Sequence, residues 1–158
     1  MNPPATARRL SIILLAVVGV LGLAFASDVP ASEPGTAATP NKKIVEEYME
    51  GFRRSDHAAI LACLTEDVEW ILPGSRLSGK TAFDKEIENP AFTGRPVIHI
   101  TRLTEENNVV IAEGRVQASR KDGPRLHAAF CDVFEFENGK IRRLTSYLME
   151  IANTADKP

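Results

Sequence analysis

From residue 42 onward, hydrophobic positions first recur at the spacing of a helix. The first set of these positions consists of Ile44, Val45, Tyr48 and Phe52. It predicts a helix over 42–52 that carries glutamates on its opposite side. The same periodicity predicts two further short helices, over about 55–64 and 81–88, with a short strand over 68–72 between them. The first half of the domain is therefore predicted to be mainly helical.

After Pro90 the pattern changes to long segments that are rich in β-branched and aromatic residues. They cover residues 97–103, 109–120, 125–137 and 140–151, and the last three are separated by Lys121-Asp122-Gly123 and Glu137-Asn138-Gly139, which are typical hairpin turns. Helices followed by an antiparallel meander predict an α+β fold in which the helices cover one face of a curved sheet.

The N-terminal segment has the features of a secretory signal peptide. Arg8 and Arg9 precede an uncharged apolar run of 17 residues, Leu10 to Ala26, which ends in Ala24-Phe25-Ala26. This order predicts cleavage after Ala26 and export, so that the protein would be periplasmic or secreted. Because a run of this length is at the lower limit for a membrane span, an uncleaved membrane anchor is the alternative.

The rest of the chain divides by composition. Residues 27–41 are small, polar and proline-bearing and predict a flexible linker, residues 42–151 are predicted to form the folded domain, and 152–158 form a polar tail. With 158 residues, 44% hydrophobic and 25% charged, the chain has room for one globular domain. A formal net charge of -2 argues against nucleic-acid binding by bulk electrostatics, and no membrane partner is expected after signal cleavage.

One segment matches a nucleotide-binding motif. Residues 74–81 read GSRLSGKT, which fits the phosphate-binding pattern G-x4-G-K-[ST]. A phosphate-binding loop of this type belongs to a parallel sheet with crossover helices, whereas the segments after Asn89 alternate strands with short turns. We therefore interpret Gly74 and Gly79 as turn glycines.

The metal-ligating residue types do not form clusters in the sequence. His57, His99 and His127 have no second histidine or cysteine at ligand spacing, so neither a metal site nor a cofactor is predicted. Export would permit a disulfide between Cys63 and Cys131. Their predicted positions, on the inner face of a helix and on a strand, favour two free thiols instead.

An isolated carboxyl group lies within an aromatic row on the third long segment, residues 125–137. Alternate residues of this strand place Phe130, Asp132, Phe134 and Phe136 on one face. A carboxyl in such surroundings either gains partners or has its pKa raised until it stays protonated and donates a hydrogen bond. The alternatives are that Asp132 faces the other side or pairs with an arginine. Tyr48, on the apolar face of the first helix, has a hydroxyl that needs a partner if it is buried.

These segments together resemble a known family. Residues 42–52, 55–70, Trp70-Ile71-Leu72-Pro73-Gly74 and 132–141 are similar in order and spacing to the SnoaL-like branch of the nuclear transport factor 2-like superfamily. The resemblance implies a cone-shaped fold, in which three N-terminal helices pack in the concave face of a strongly curved, mainly antiparallel sheet and leave an apolar pocket. It also implies that the outer sheet face forms a homodimer, for which the predicted outward residues are Ala129, Cys131, Val133, Ile141, Thr145 and Tyr147.

Ketosteroid isomerase belongs to the same superfamily, and its pattern suggests roles for individual residues. Its two oxyanion donors correspond to Tyr48 and Asp132, but its general base corresponds to Leu72, which cannot move a proton. The histidine that many SnoaL-like proteins carry after the tryptophan corresponds to Ile71. The acid pair of the related epoxide hydrolases is not evident either. Catalysis would therefore require His99 or Asp132 itself as the proton acceptor.

The resulting functional prediction is a pocket for a small, mostly apolar molecule that bears a carbonyl or hydroxyl group, with Tyr48 and Asp132 as polar anchors. The other predicted lining residues are Phe52, Trp70, Leu72, Phe83, Phe130, Leu144, Ser146 and Leu148. Two alternatives stand beside it. One is an isomerase, cyclase or hydratase that uses the two anchors as oxyanion donors, and the other is a non-catalytic dimerisation module whose own side chains fill the pocket.

Overall fold

The structure, a computed structural model, describes residues 38–151. The predicted signal peptide, the linker up to residue 37 and the tail 152–158 lie outside the described residues. The helices are α1 (Pro40–Arg54), α2 (His57–Ala62) and α3 (Lys80–Ile87). The strands are β1 (Leu64–Leu72), β2 (Ser75–Ser78), β3 (Phe92–Glu106), β4 (Val109–Arg120), β5 (Leu126–Glu137) and β6 (Lys140–Glu150). None of these helices is long and apolar enough to cross a membrane.

The six strands form one curled, unclosed sheet in the order β2-β1-β6-β5-β4-β3. Four of its five pairings are antiparallel, and β1 runs parallel to β6. The helices lie on the N-terminal side of the chain, which confirms the predicted α+β class and the mainly antiparallel sheet. Residues 74–81 belong to the antiparallel pair of β1 and β2 and to the start of α3, and Gly74 and Gly79 flank the short strand β2 with positive φ angles of 77° and 81°, as expected for turn glycines.

The first helix begins earlier than the sequence predicts. Pro40 occupies the first turn, where its missing N–H is not needed, and the Thr39 side chain accepts a hydrogen bond from the Lys42 backbone N–H at 3.3 Å. Helix α1 therefore begins two residues before its predicted start at Lys42.

Two strands differ from the prediction. β2 was not predicted, because its four residues follow directly after the turn at Pro73-Gly74; they pair antiparallel with the end of β1. β3 begins at Phe92 rather than Val97, and its register with β4 shifts between Thr93 and Val97. This bulge interrupts the alternation of apolar and polar residues on which the strand prediction depended.

The core lies between the helices and the inner face of the sheet. Its largest fully buried side chains include Ile60, Leu64, Phe83, Phe134, Ile141 and Leu144. The Tyr48 and Phe134 rings meet edge to face at 5.4 Å, and the Trp70 and Phe83 rings stack at 4.5 Å. Helix α1 is therefore anchored to β5, and α3 to β1, by aromatic contacts.

The prediction that Ile141 faces outward is wrong. Its side chain is fully buried, because the pairing of β5 with β6 shifts register between Glu135 and Phe136. The extra residue on β6 puts Ile141 and Leu144, three positions apart, on the same inner face. The two cysteines are free thiols, as predicted, with Cys63 buried and Cys131 half-buried.

Candidate functional site

A cavity of about 200 Å³ lies between α1 and the inner face of the sheet. Its lining residues come from α1 and five strands with the turn after β1, and they are Tyr48, Met49, Phe52, Trp70, Leu72, Pro73, Ile98, Val116, Phe130, Asp132, Ser146 and Leu148. Its wall is apolar except at Tyr48, Asp132, Ser146 and the indole nitrogen of Trp70.

Most of the predicted site residues meet at this cavity, but three do not. Phe83 and Leu144 are fully buried in the core, so the prediction that they line the pocket is wrong. Phe83 stacks on Trp70 from behind and supports the wall instead. His99 is exposed and alternates with Ile98 and Ile100, which pack against the core, so the prediction that it reaches the pocket is also wrong.

Four lining residues were missed from the sequence: Met49, Pro73, Ile98 and Val116. Ile98 and Val116 face each other across β3 and β4, and strand alternation was the signal that could have found them. Met49 lies one helical turn after Val45, which is itself in the core, so helical spacing carried the signal for this residue.

A glycine makes room for one wall of the cavity. Gly114 on β4 is paired with Phe130 on β5, and a Cβ atom added at Gly114 would lie 2.6 Å from Phe130 Cζ and 2.2 Å from the His99 carbonyl oxygen. Only a residue without a side chain allows the Phe130 ring to lie across β4. The ring position, and with it the shape of the pocket, depends on this glycine.

Asp132 is the acidic group of the pocket wall. Burial raises the pKa of its carboxyl to about 6, and a hydrogen bond with Ser146 acts in the opposite direction. Ser146 is the cross-strand partner of Asp132 and also accepts a hydrogen bond from Trp70 Nε1 at 3.0 Å. None of the ion pairs among residues 38–151 includes Asp132, so the alternative in which an arginine neutralises it is wrong.

Tyr48 supplies the second oxygen. Its side chain is 2% exposed and packs against Phe52 and Phe134. Burial, followed by the nearby charge of Asp132, raises the pKa of the Tyr48 hydroxyl well above its usual value. The hydroxyl therefore stays protonated and is available as a hydrogen-bond donor. Tyr48 and Asp132 are the two ionisable groups among the residues that line the cavity.

The part of the chain that builds this pocket matches one family in sequence. Residues 45–144 match the SnoaL-like domain, which is most of the chain. The chain belongs to the SnoaL-like domain family. The sequence matches none of the curated proteins.

Solved structures show how widely this SnoaL-like fold occurs. TerC, co-crystallised with polyporic acid, is 20% identical with a TM-score of 0.65, and the match covers 70% of this chain and 92% of that one. A nuclear transport factor 2-like protein of unknown function from Burkholderia pseudomallei is 22% identical with a TM-score of 0.64, over 70% and 92% of the two chains. A LEH-like epoxide hydrolase from M. tuberculosis is 20% identical with a TM-score of 0.62, over 71% and 84%. At these identities the likeness establishes the fold alone.

The chemistry available in this SnoaL-like domain is that of two hydrogen-bonding oxygens in an apolar pocket. A ligand oxygen could accept from Tyr48 and from Asp132 when the latter is protonated. Leu72 lines the pocket without a group that can move a proton. In the part of the chain that the structure describes, no three His, Cys, Asp or Glu side chains converge as a metal site.

Proposed function

We propose that this SnoaL-like domain binds a small, mostly apolar molecule that bears a carbonyl or hydroxyl oxygen. One observation carries the proposal: a carboxyl whose pKa is raised to about 6 lies in the wall of an otherwise apolar cavity, next to a buried tyrosine. Burying Asp132 in this way costs folding free energy, and perturbed carboxyls of this kind are enriched at binding and catalytic sites.

The cavity volume bounds the size of the ligand. An apolar protein cavity of ~150 Å³ holds one benzene molecule. A cavity of about 200 Å³ therefore accommodates one six-membered ring with a small substituent. Phe52, Trp70 and Phe130 would contact the ring, while Tyr48 and Asp132 would face its oxygen.

The pH dependence of ketone binding tests this proposal. Cyclohexanone should bind more weakly as the pH rises through about 6, because the Asp132 anion cannot donate a hydrogen bond to the ketone oxygen. In Asp132→Asn the amide does not titrate, so the affinity should not change between pH 5 and 8. Tyr48→Phe should weaken binding up to about tenfold at each pH. The dissociation constants can be measured by NMR titration of the full-length protein.

Methylenecyclohexane, in which a CH₂ group replaces the oxygen, is the matched control ligand. Its affinity should be independent of pH and insensitive to both substitutions. Equal affinities for the two ligands in the wild type would contradict the proposed role of the two oxygens.

An isomerase-, cyclase- or hydratase-type reaction is the second candidate. It is favoured by one observation, since a carboxyl with a pKa of about 6 can both give and take a proton near neutral pH. The same probe distinguishes it from binding alone. An enzyme would be favoured if the wild type exchanged the α-protons of cyclohexanone for deuterium from D₂O and the Asp132→Asn variant did not.

We also propose that the protein is exported. Support comes from Arg8, Arg9 and the apolar run Leu10 to Ala26, and cleavage after Ala26 would leave the family match at 45–144 intact. Protein recovered from the extracytoplasmic fraction should begin at or near Ser27, as determined by N-terminal sequencing. An intact Met1 on that protein would instead favour a membrane anchor.

A homodimer through the outer sheet face is the third part of the proposal. Tyr147 is 58% exposed and Met149 is 66% exposed, and their cross-strand partners are Cys131 and Ala129. Exposed apolar side chains in such a row favour the binding of a second copy of the chain, which would bury them. Light scattering at micromolar concentration should give the mass of a dimer, and Tyr147→Lys should shift it toward that of a monomer. Glu86→Lys, on the exposed side of α3, is the control, and a monomeric wild type would refute the dimer.

A further inference from the structure

We infer that the ligand carries a carboxylate on a short chain beyond its apolar part, and that Arg95 and Lys121 bind this group in a second cleft beside the pocket. The inference rests on the proposed function, because it requires the apolar part of the same ligand to occupy the pocket. It adds the chemical class of the ligand, an apolar ring joined by a short chain to an acid.

The second cleft, called the outer cleft below, has a volume of about 700 Å³ and adjoins the pocket. Phe52 lines both spaces. Along β3 the lining passes from Ile98 in the pocket to Pro96 in the outer cleft, and along β4 it passes from Val116 to Ala118. Two residues of a strand span ~7 Å, so a molecule that fills the pocket reaches the outer cleft through a chain of a few carbon atoms.

The charged residues that line the outer cleft are mostly positive, although the whole chain has a formal net charge of -2. Arg54, Arg95 and Lys121 face it, together with one acid, Glu88. Arg54 is already engaged by Glu50 and Asp56, and Glu88 lies 3.7 Å from His57 Nε2. Within residues 38–151, Arg95 and Lys121 take part in no ion pair, which leaves two cations to attract an anion.

The local backbone fixes the segments that carry these two cations. Arg95 follows Gly94, whose φ angle is 71°, in the bulge where β3 shifts register against β4. Bulges near the end of a strand pair redirect side chains, and this one directs Arg95 into the outer cleft. Lys121 is held at the end of β4 by a hydrogen bond from its backbone N–H to the Ala91 carbonyl at 2.9 Å.

A carboxylate suits this pair of residues. The guanidinium group of an arginine offers a planar fork of donors that matches the two carboxylate oxygens, and the lysine adds a point charge. Because both side chains are exposed, their contribution to affinity is moderate and is screened by salt. The pocket would then supply the apolar contacts with the ligand. The outer cleft would make the protein prefer a ligand that carries an acid group.

A series of phenyl keto acids tests the inference. The acids 4-oxo-4-phenylbutanoate, 5-oxo-5-phenylpentanoate and 6-oxo-6-phenylhexanoate differ in reach, and the primary amide of each has the same shape without the charge. At low salt and pH 5.5, where Asp132 is mostly protonated, at least one acid should bind the full-length protein about 3- to 20-fold more tightly than its amide. Calorimetry or NMR titration gives both dissociation constants.

The double variant Arg95→Gln, Lys121→Gln should abolish this preference and leave the affinity for the amide unchanged. Lys85→Gln, which removes an exposed positive charge of α3 outside the outer cleft, is the control and should retain the preference. Salt at 0.5 M should reduce the preference in the wild type.

The possible results separate this inference from the proposed function. If the amides bind and no acid binds more tightly than its amide, the anion site is refuted while the apolar pocket stands. A preference that survives the double variant refutes the assignment to Arg95 and Lys121. If neither acids nor amides bind at any chain length, the proposed function fails, and the inference fails with it.

Discussion

Phe134→Ala is expected to lower the free energy of unfolding by about 3–5 kcal/mol. The Phe134 side chain is fully buried and contacts the Tyr48 ring edge to face at 5.4 Å, so its removal leaves a cavity where α1 meets β5. Equilibrium urea unfolding of the full-length protein measures the loss. Val97→Ala, at a side chain that is 55% exposed, is the control and should change the free energy by no more than about 0.5 kcal/mol. A similar, small effect of both substitutions would show that α1 does not pack on β5 through this residue.

Asp132→Asn is expected to stabilise the domain at pH 8 and to have little effect near pH 4. The folded state raises the pKa of Asp132 from 3.8 to about 6, so the folded protein binds more protons than the unfolded chain between these values. The wild type therefore loses stability as the pH rises from about 4 to about 6, and the loss stays constant above that range. A shift of this size corresponds to up to about 3 kcal/mol at pH 8.

Urea unfolding of the wild type and of Asp132→Asn at pH 4, 6 and 8 measures this effect. The comparison removes the contributions of all other titrating groups, which the two proteins share. Asp122→Asn, in the exposed turn between β4 and β5, controls for the loss of one carboxyl at the surface. If Asp132→Asn destabilised the protein more at pH 8 than at pH 4, the carboxylate would be stabilised by a partner and the account would be wrong in sign.

The fold class could be predicted because the two halves of the domain have different hydrophobic periodicities. The 3.6-residue spacing at Val45 and Tyr48 and the alternation at Phe130 and Phe134 are both borne out by burial of these side chains. Each pattern lies within one helix or one strand that is regular over these residues. Periodicity along the sequence is enough to predict which face of such an element is buried.

The prediction failed where the register of the sheet is irregular. The shift between Glu135 and Phe136 turned Ile141 inward, and the bulge at Gly94 hid the first part of β3. A bulge changes which face a residue occupies without changing the local composition, so alternation alone cannot locate it. Register is a property of two strands together and became visible only in the structure.

The candidate site was predicted correctly only for residues that lie on regular parts of the helices and strands. Tyr48, Trp70 and Asp132 lie on regular segments, and all three line the cavity. Phe83 is an aromatic residue like Trp70, and whether it lines the cavity or supports the wall from behind depends on how α3 packs on Trp70. The outer cleft was not predicted, because Arg95 near the start of β3 and Lys121 after the end of β4 come together only through the pairing of these two strands, whose register could not be inferred.

The proposed function requires Asp132 to be a buried carboxyl that stays protonated in slightly acidic solution and donates a hydrogen bond in an apolar pocket. The most direct test is an NMR titration of the Asp132 carboxyl carbon in the full-length protein. We expect a midpoint near 6, and a higher midpoint in Ser146→Ala, because the hydrogen bond with Ser146 lowers the pKa of Asp132. A midpoint at or below the ~3.9 of a free aspartate would contradict this requirement.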